Sequence, residues 1–357
     1  QSVVDLKDVA FFAKGLTGLN KKLEISGHVY GSVASLNARN IELSFGNITA
    51  LSGDIDLDGL PNIQETFLHL NLKDFKTNYS DLVTIPLPPF SEDKRLKLPS
   101  NVATLGTLRF KGSFTGFVND FVAFGTLQTA IGSLKSDISL KQDVASGKLA
   151  YNGKLQSFGF DAGKFLEEDR IGKVSLDASV KGKGLTKEDM NAVLVGNIQS
   201  VHLVGYDYKD IEVNGQFARS MFSGEVTARD TNLALVFRGG FDLSQNLPQF
   251  NFHADVTHAN LYELNLLRER ENATVSGVLD VDFVGDDIDN LLGVIEISNA
   301  VYSQDDTVSY SIREFELDID TVANNKQLRL RSDIVDADFD GKFTFRNIPK
   351  AANNLLQ

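Results

Sequence analysis

The spacing most suggestive of chemistry lies in the segment DIDLDGLPNIQE, which runs from Asp54 to Glu65. Carboxylates fall there at positions 1, 3, 5 and 12 of the calcium-binding loop of EF hands, and a glycine falls at position 6. The matching residues, in that order, are Asp54, Asp56, Asp58, Glu65 and Gly59. Oxygen ligands of this kind bind Ca²⁺, so the segment is a candidate metal site.

The neighbours of these carboxylates favour a different interpretation. Ile55 and Leu57 alternate with the aspartates, as side chains do when a strand has one dry face and one wet face. Pro61 stands where the calcium loop normally has an aliphatic residue. We therefore predict that the three aspartates lie on the solvent face of a strand, and calcium binding is the weaker alternative.

Other residues that could do chemistry are dispersed. The segment GDDIDN, residues 285–290, clusters three aspartates, but turn aspartates commonly bond their own backbone. Among the five histidines, His253 and His258 are the nearest in sequence, and their spacing is not that of a zinc motif. No carboxylate pair stands out for glycoside chemistry, and no nucleophile elbow, phosphate loop or dinucleotide fingerprint occurs. The chain also has no cysteine, so we predict no catalytic site, no resident metal and no cofactor.

The overall charge restricts the partners. The formal net charge is -13, which repels nucleic-acid phosphates, and no basic cluster with interleaved aromatic residues offsets it. A polybasic patch for anionic membrane surfaces is equally unsupported by the sequence. Apolar runs such as Leu233–Phe237 are too short to span a bilayer. Because the chain begins at Gln1, we expect a segment of a larger or processed protein whose membrane anchor lies outside it.

Period-2 alternation of apolar and polar residues recurs along the whole chain. In the segment TVSGVLDVDFVGDD, Val275, Leu279, Val281 and Phe283 alternate with polar residues. There are 29 glycines and 25 phenylalanines but only 2 methionines and no tryptophan, a composition that favours strands over helices. The pattern predicts an all-β fold: an elongated, curled sheet that forms an open hydrophobic groove, with a few short helical turns.

Three segments interrupt the alternation. Residues 80–100 carry four prolines, which predicts a crossover loop rather than a central strand. Residues 160–172 and 257–270 are predicted to form short helical joints. Since no sharper boundary is visible, we predict one continuous β-groove segment over residues 1–357.

A sheet with one apolar face must bury that face against something. In a wrapped groove the natural occupants are aliphatic chains, each buried methylene contributing about 0.8 kcal/mol. We predict that acyl chains lie against the apolar side of the strands, and the alternative is an ordinary closed β-core. The predicted lining residues are Val174, Leu176, Val180, Phe217, Leu235, Phe237, Phe250, Phe252, Leu279, Val281, Phe283, Phe315, Leu317, Phe339 and Phe343.

Several segments resemble the TamB branch of the AsmA-like proteins. They are GKVSLDASVKGKGLTKEDMNA (172–192), GYDYKDIEVNGQF (205–217), DTNLALVFRGGFDL (230–243), LDGLPNIQETFLHLNLKDFKTNYSDL (57–82) and FNFHADVTHANLYELNL (250–266). The resemblance covers most of the chain and depends on strand patterns rather than on an invariant site. It implies a repeating β-groove fold with no catalytic residues.

The resemblance also implies a function and a location. Members of this family are periplasmic parts of inner-membrane-anchored bridge proteins of Gram-negative bacteria, with an Omp85-type, TamA-like outer-membrane partner in the translocation and assembly module. We therefore expect phospholipid transport to the outer membrane, with partner contacts outside this segment. Two alternatives remain: a scaffold for outer-membrane protein assembly by strand addition, and an extracellular β-solenoid adhesin.

Overall fold

The structure is a computed structural model that describes residues 2–5, 22–60, 62–85, 95–143, 147–287, 289–305, 308–322, 325–342 and 344. The predicted all-β fold is confirmed: within these residues the chain forms twenty strands and only a few short helical segments. Contacts divide the chain into two units, residues 1–192 and 193–357. The predicted single continuous groove over both units stays a prediction.

The first unit contains ten strands, each paired antiparallel with the next along the chain. They are β1 (Ser2–Asp5), β2 (Lys22–Gly31), β3 (Ser35–Phe45), β4 (Thr49–Asp58), β5 (Phe67–Asn78), β6 (Thr107–Phe117), β7 (Asp120–Thr129), β8 (Gly132–Gln142), β9 (Leu149–Asp161) and β10 (Ile171–Lys183). Since every described pairing in this unit joins consecutive strands, the unit is an open antiparallel meander.

The second unit repeats this topology. Its strands β12 to β20 also pair antiparallel in sequence order. The strands are β11 (Asn191–Leu203), which begins at the boundary between the units, β12 (Tyr206–Ala218), β13 (Met221–Asp230), β14 (Leu233–Asp242), β15 (Gln249–Asn260), β16 (Ala273–Val284), β17 (Leu292–Gln304), β18 (Val308–Val322), β19 (Asn325–Ser332) and β20 (Ala337–Gly341).

The alternation of residue type determines which side of each strand is buried. On β12, Ile211 and Val213 are buried while Glu212 and Asn214 between them are exposed. Because successive side chains point to opposite faces, one face of the strand is apolar and the other polar. We call these the apolar face and the polar face of each unit.

Bulges change the phase of the alternation at a few positions. The register of β3 against β4 shifts between Ala38 and Ile41, with Asn40 in the left-handed region at φ 48°. β17 has a similar irregularity against β16, where the register shifts between Ser276 and Val278 and Asn299 has φ 52°. An extra residue bends its strand and increases the local twist, and asparagine adopts this conformation more readily than most residues.

The three predicted interruptions differ in structure. The Pro-rich segment begins within helix α1 (Tyr79–Leu82) and ends at a 3-10 turn (Ser100–Leu105); its residues 86–94 lie outside the described part of the chain. Residues 160–172 contain helix α2 (Ala162–Leu166), and the side chain of Asp161 accepts a hydrogen bond from Lys164 N at its start.

The joint predicted at residues 257–270 needs correction. Its first four residues continue β15, because pairing with β14 and β16 resumes in a shifted register after a bulge before Ala259. Turns follow, in which Leu264 N donates to Asn260 O. Leu264 is 2% exposed, so its burial holds this connection against the sheet.

A buried carboxylate fixes one hairpin of the first unit. Asp81 accepts hydrogen bonds from the backbone of Ile48 (2.9 Å) and Thr49 (3.0 Å) and from Thr49 Oγ1 (2.7 Å). Burial raises the pKa of Asp81, but these bonds and one from Asn47 N lower it more, to about 2. The turn between β3 and β4 is therefore held by a carboxylate that stays ionised below its ordinary titration range.

Candidate functional site

The apolar face of the second unit is built from rows of side chains that run across the strands. One row contains, from β12 to β18, Val213, Val226, Phe237, Ala254, Leu279, Ile297 and Phe315. The next contains, from β12 to β20, Gly215, Gly224, Gly239, Phe252, Val281, Ile295, Leu317, Leu330 and Ala337. A third contains Phe217, Phe222, Phe241, Phe250, Phe283, Gly293, Ile319, Leu328 and Phe339.

The first unit has rows of the same kind. One contains, from β2 to β10, Val29, Ala38, Ile55, Leu70, Phe114, Ala123, Ile138, Gly153 and Val180. Another contains Ile25, Leu43, Leu51, Phe75, Phe110, Leu127, Leu134, Ser157 and Leu176. Each unit thus has a continuous apolar face that no single strand could provide.

The predicted lining residues lie on these faces. Eleven of the fifteen are in the second unit, ten of them in the rows above and Leu235 beside Ala228 in an adjacent row. Val180, Leu176 and Val174 belong to the first unit, and Phe343 lies outside the described residues.

Most of these side chains are only partly buried. Val180 and Val281 are buried, at 9% and 7% exposed, and Phe339 is 39% exposed. The other eleven described ones, including Phe237 and Leu279, lie between these extremes. A side chain in a closed core would be more fully covered, so the apolar faces retain accessible hydrocarbon.

Aromatic rings concentrate on one part of the second unit. The Phe222 ring lies 4.9 Å from that of Phe217 and 5.8 Å from that of Phe241, measured between centroids. Phe237 and Phe252 are 5.0 Å apart. Such offset and tilted pairs add about 0.5–1.5 kcal/mol each beyond their burial, so this part of the face is the most strongly organised.

A row of three glycines lies beneath these rings. Gly215, Gly224 and Gly239 are in register on neighbouring strands. A Cβ on Gly215 would collide with the Phe222 ring, and one on Gly239, at φ +127°, would meet the backbone of β15. The glycines therefore allow the Phe222 ring to lie close against β12 and the backbone of β15 to approach β14 closely.

The polar face of the second unit is covered by ion pairs. Arg229 Nη1 lies 2.8 Å from Glu212 Oε1, and this hydrogen bond lowers the pKa of the Glu212 carboxyl. Arg238 similarly meets Glu225 at 3.0 Å. Exposed pairs of this type contribute little stability, but they keep the polar face hydrated.

The calcium-like segment lies on the polar side of β4, as the alternation predicts. Asp54 accepts a hydrogen bond from Asn40 N (2.8 Å), Asp56 pairs with Arg39, and Asp58 accepts from Ser35 Oγ (2.6 Å). Each carboxylate is thus used to join β3 to β4. Within the described residues, no three His, Asp or Glu side chains are placed to hold a metal ion.

The other candidates from the sequence have local structural partners. His253 Nδ1 lies 2.7 Å from Asp280 Oδ1 across two strands. In the GDDIDN segment, Asn290 Oδ1 accepts from the backbone of Asp286 and Asp287, which closes the turn. These contacts account for both groups as parts of the β-structure.

Sequence reasoning missed a basic group on the polar face of the first unit. Lys111, Lys135, Lys154 and Lys181 come from four strands, and the sheet register brings them together. Their alternation with apolar residues is visible in the sequence, but their proximity depends on strand pairing.

Comparison with known proteins gives no relative: no family model, no curated protein and no solved structure matches the chain. In the described part of the chain, no helix has the length and apolarity needed to cross a membrane. The fold and the surface together define an all-β protein in which each unit presents an extended, partly exposed apolar face.

Proposed function

We propose that this chain is a non-enzymatic segment of an inter-membrane bridge protein that holds lipid acyl chains on its apolar faces. In this role it carries phospholipid through the periplasm toward the outer membrane. The acyl-chain part of the proposal is supported by the geometry of the apolar faces. The bridge role, the periplasmic location and the Omp85-type partner are supported by the resemblance of the quoted segments to the TamB branch.

The observation that carries the proposal is the row from Val213 to Phe315. Seven consecutive strands each contribute an apolar side chain to it, and most of these side chains are only partly buried. Fully burying such a side chain contributes about 1.5–3 kcal/mol. A partly exposed side chain gains only part of this free energy. An aliphatic chain lying along the row would recover the remainder.

The dimensions of the row suit an acyl chain. Neighbouring strands are about 4.8 Å apart, so a row across seven strands is about 29 Å long. One leaflet contributes about 15 Å of a bilayer hydrocarbon core. An acyl chain can therefore lie across several strands with all of its methylenes in contact with apolar side chains.

An acyl chain can move along such a row without breaking any specific, directional contact. Apolar contact is non-directional and proportional to area, so a chain that shifts by one strand exchanges equivalent contacts. Headgroups stay in water at the open side of the face.

The first experiment is native mass spectrometry of the purified chain, followed by lipid extraction. We expect phospholipid to co-purify with the chain. In the double variant Phe237→Asn/Ile297→Asn, affinity should fall about 50-fold, because two contacts of about 1–1.5 kcal/mol each are lost. The matched control is Val236→Asn/Val294→Asn, which alters the polar face of the same two strands and should retain the lipid.

A crosslinking experiment keeps the proposal testable if the lining variant misfolds. A photoreactive phenylalanine analogue placed at Phe237 should capture lipid, and the same analogue at Val236 should not. Equal capture at both positions, or a folded lining variant with unchanged lipid content, would contradict acyl-chain binding. Capture of unfolded outer-membrane proteins instead of lipid would favour the assembly scaffold.

The bridge role needs a separate measurement. Purified chain added between donor and acceptor vesicles should accelerate transfer of a fluorescent phospholipid, and the lining variant should not. If the chain binds lipid but does not accelerate transfer, acyl-chain binding stands and the transport role is refuted.

A further inference from the structure

The polar face of β6–β10 carries a group of lysines that stands apart from the acidic character of the chain. We name as the lysine surface the residues Lys111, Lys135, Lys154, Lys181, Val122 and Phe124. All four lysines are exposed, and none forms an ion pair with a described carboxylate. They belong to β6, β8, β9 and β10 respectively.

Strand pairing places these residues on one face. Lys111 and Lys135 both lie in register with Thr126, one on each side of β7. Lys154 and Lys181 follow on the next two strands, Lys154 in register with Asp137 and Lys181 in register with Asn152. With strands about 4.8 Å apart, the four ammonium groups are spread over about 19 Å of sheet.

The local charge is opposite in sign to that of the chain. The strands β6–β10 contain eight Lys and Arg residues against four Asp, whereas the net charge of the chain is -13. Charges separated by more than about 10 Å are largely screened at 0.1 M salt. On this face Asp137 lies in register with Lys154, and Asp177 lies in register with Gln156. The four lysines outnumber these two carboxylates, so an anion that approaches the surface meets a net positive charge.

Exposed apolar side chains lie among the lysines. Phe124 is 54% exposed and Val122 41% exposed, both on the polar face of β7. Phe158 on β9 is 55% exposed on the same face. Phe124 lies opposite Ser113 and Asp137, and the next same-face residue on its strand, Thr126, lies between Lys111 and Lys135. Its exposed ring is thus next to two of the lysines and on the side of the sheet away from the apolar face.

We propose that the lysine surface docks the chain onto an anionic phospholipid bilayer. Each lysine near an anionic membrane contributes about 1 kcal/mol, and interfacial proteins combine such lysines with phenylalanines that enter the headgroup region. Protein–protein interfaces, in contrast, are depleted in lysine. The lysine surface thus fits a bilayer better than an acidic protein. This docking is independent of acyl chains on the apolar face.

The test is co-sedimentation of the full chain with vesicles of phosphatidylcholine alone and of phosphatidylcholine mixed with phosphatidylglycerol. Binding should require phosphatidylglycerol and should weaken strongly when salt is raised from about 0.1 M to about 1 M, where the Debye length falls from about 10 Å to about 3 Å. Lys135→Glu/Lys154→Glu/Lys181→Glu should weaken binding by at least about 100-fold.

Three further variants complete the design. Lys97→Glu/Lys209→Glu/Arg268→Glu changes the net charge equally, at exposed positions outside the lysine surface, and should bind like the unaltered chain. Phe237→Asn/Ile297→Asn, which tests the acyl-chain proposal, should also retain vesicle binding. Phe124→Ser should weaken binding while keeping the dependence on phosphatidylglycerol.

Three results would overturn the inference. An equal loss of vesicle binding in both charge-reversed variants would show that only the net charge of the chain matters. Equal binding to both vesicle types would assign the interaction to apolar contact. Absence of vesicle binding, together with self-association that the lysine variant abolishes, would assign the surface to contacts between copies of the chain.

Discussion

Removing the Asp81 carboxylate should loosen the hairpin that it fixes. Asp81 is 2% exposed, and its Oδ2 accepts from three consecutive backbone N–H groups and from Thr49 Oγ1. Thr49 Oγ1 also lies 2.9 Å from Thr77 Oγ1 on β5. The carboxylate thus fixes the β3–β4 turn relative to the following strand.

The magnitude follows from the number of donors. Asp81→Asn keeps one acceptor but loses the charge, and hydrogen bonds to charged groups are roughly twice as strong as neutral ones. We expect this change to reduce the free energy of unfolding by about 2 kcal/mol. Asp81→Ala leaves the donors without an acceptor, so we expect it to reduce the free energy of unfolding by about 4 kcal/mol.

The same carboxylate makes stability depend on pH. Its pKa is about 2 in the folded chain, below the ordinary value of 3.8. A lowered folded pKa gives stability that is fully present above about pH 4 and is lost as the pH falls toward 2. In Asp81→Asn this acid-dependent part should be missing.

The assay combines urea unfolding followed by circular dichroism with hydrogen exchange at residues 46–49. The control is Asp137→Asn, an exposed aspartate in β8, which should change stability by less than about 0.5 kcal/mol. The assigned role of Asp81 is wrong if the amides of residues 46–49 exchange no faster in the Asp81→Asn variant than in the Asp137→Asn variant. It is also wrong if the Asp81→Asn variant loses as much stability in acid as the unaltered chain.

Three further outcomes are expected. Tyr206→Phe removes the 2.6 Å hydrogen bond that Tyr206 Oη donates to buried Asp230 and should cost about 1.5 kcal/mol in urea unfolding; a cost near zero would contradict it. Gly239→Val should destabilise the second unit by several kcal/mol, because its Cβ meets the β15 backbone and φ is +127°; a thermal melt like that of the unaltered chain would contradict it. The affinity for saturated fatty acids, measured by displacement of a fluorescent analogue, should increase about twofold per added methylene. This corresponds to about half of the 0.8 kcal/mol for full burial of a methylene, because the apolar face is open on one side. An affinity independent of chain length would refute acyl-chain contact.

Alternation alone was sufficient to predict the fold class and the faces of most strands. Phe237, Leu279 and Phe315 lie on the apolar face because each keeps period 2 with the apolar residues next to it on its strand. The register between the strands then brings them into one row. This inference needs only local sequence and the geometry of a strand. The same reasoning placed Asp54, Asp56 and Asp58 correctly on the polar side of β4.

Features that depend on pairing could not be predicted in this way. The bulges at Asn40 and Asn299 shift the phase by one residue, and only the register against the neighbouring strand reveals them. Lys111 and Lys181 are far apart in sequence, so a search for a local basic cluster overlooks them. The helical pattern assigned from Thr257 was misleading because sheet pairing extends through Asn260.

The strictly consecutive pairing of strands has a consequence for how such a chain can change in length. Inserting one complete hairpin at a turn restores the original strand direction, so every existing residue keeps its face and its neighbours. Each row then grows by two members, or about 10 Å. A gene for this architecture could therefore adapt to gaps of different width by gaining or losing hairpins, with no other substitution required.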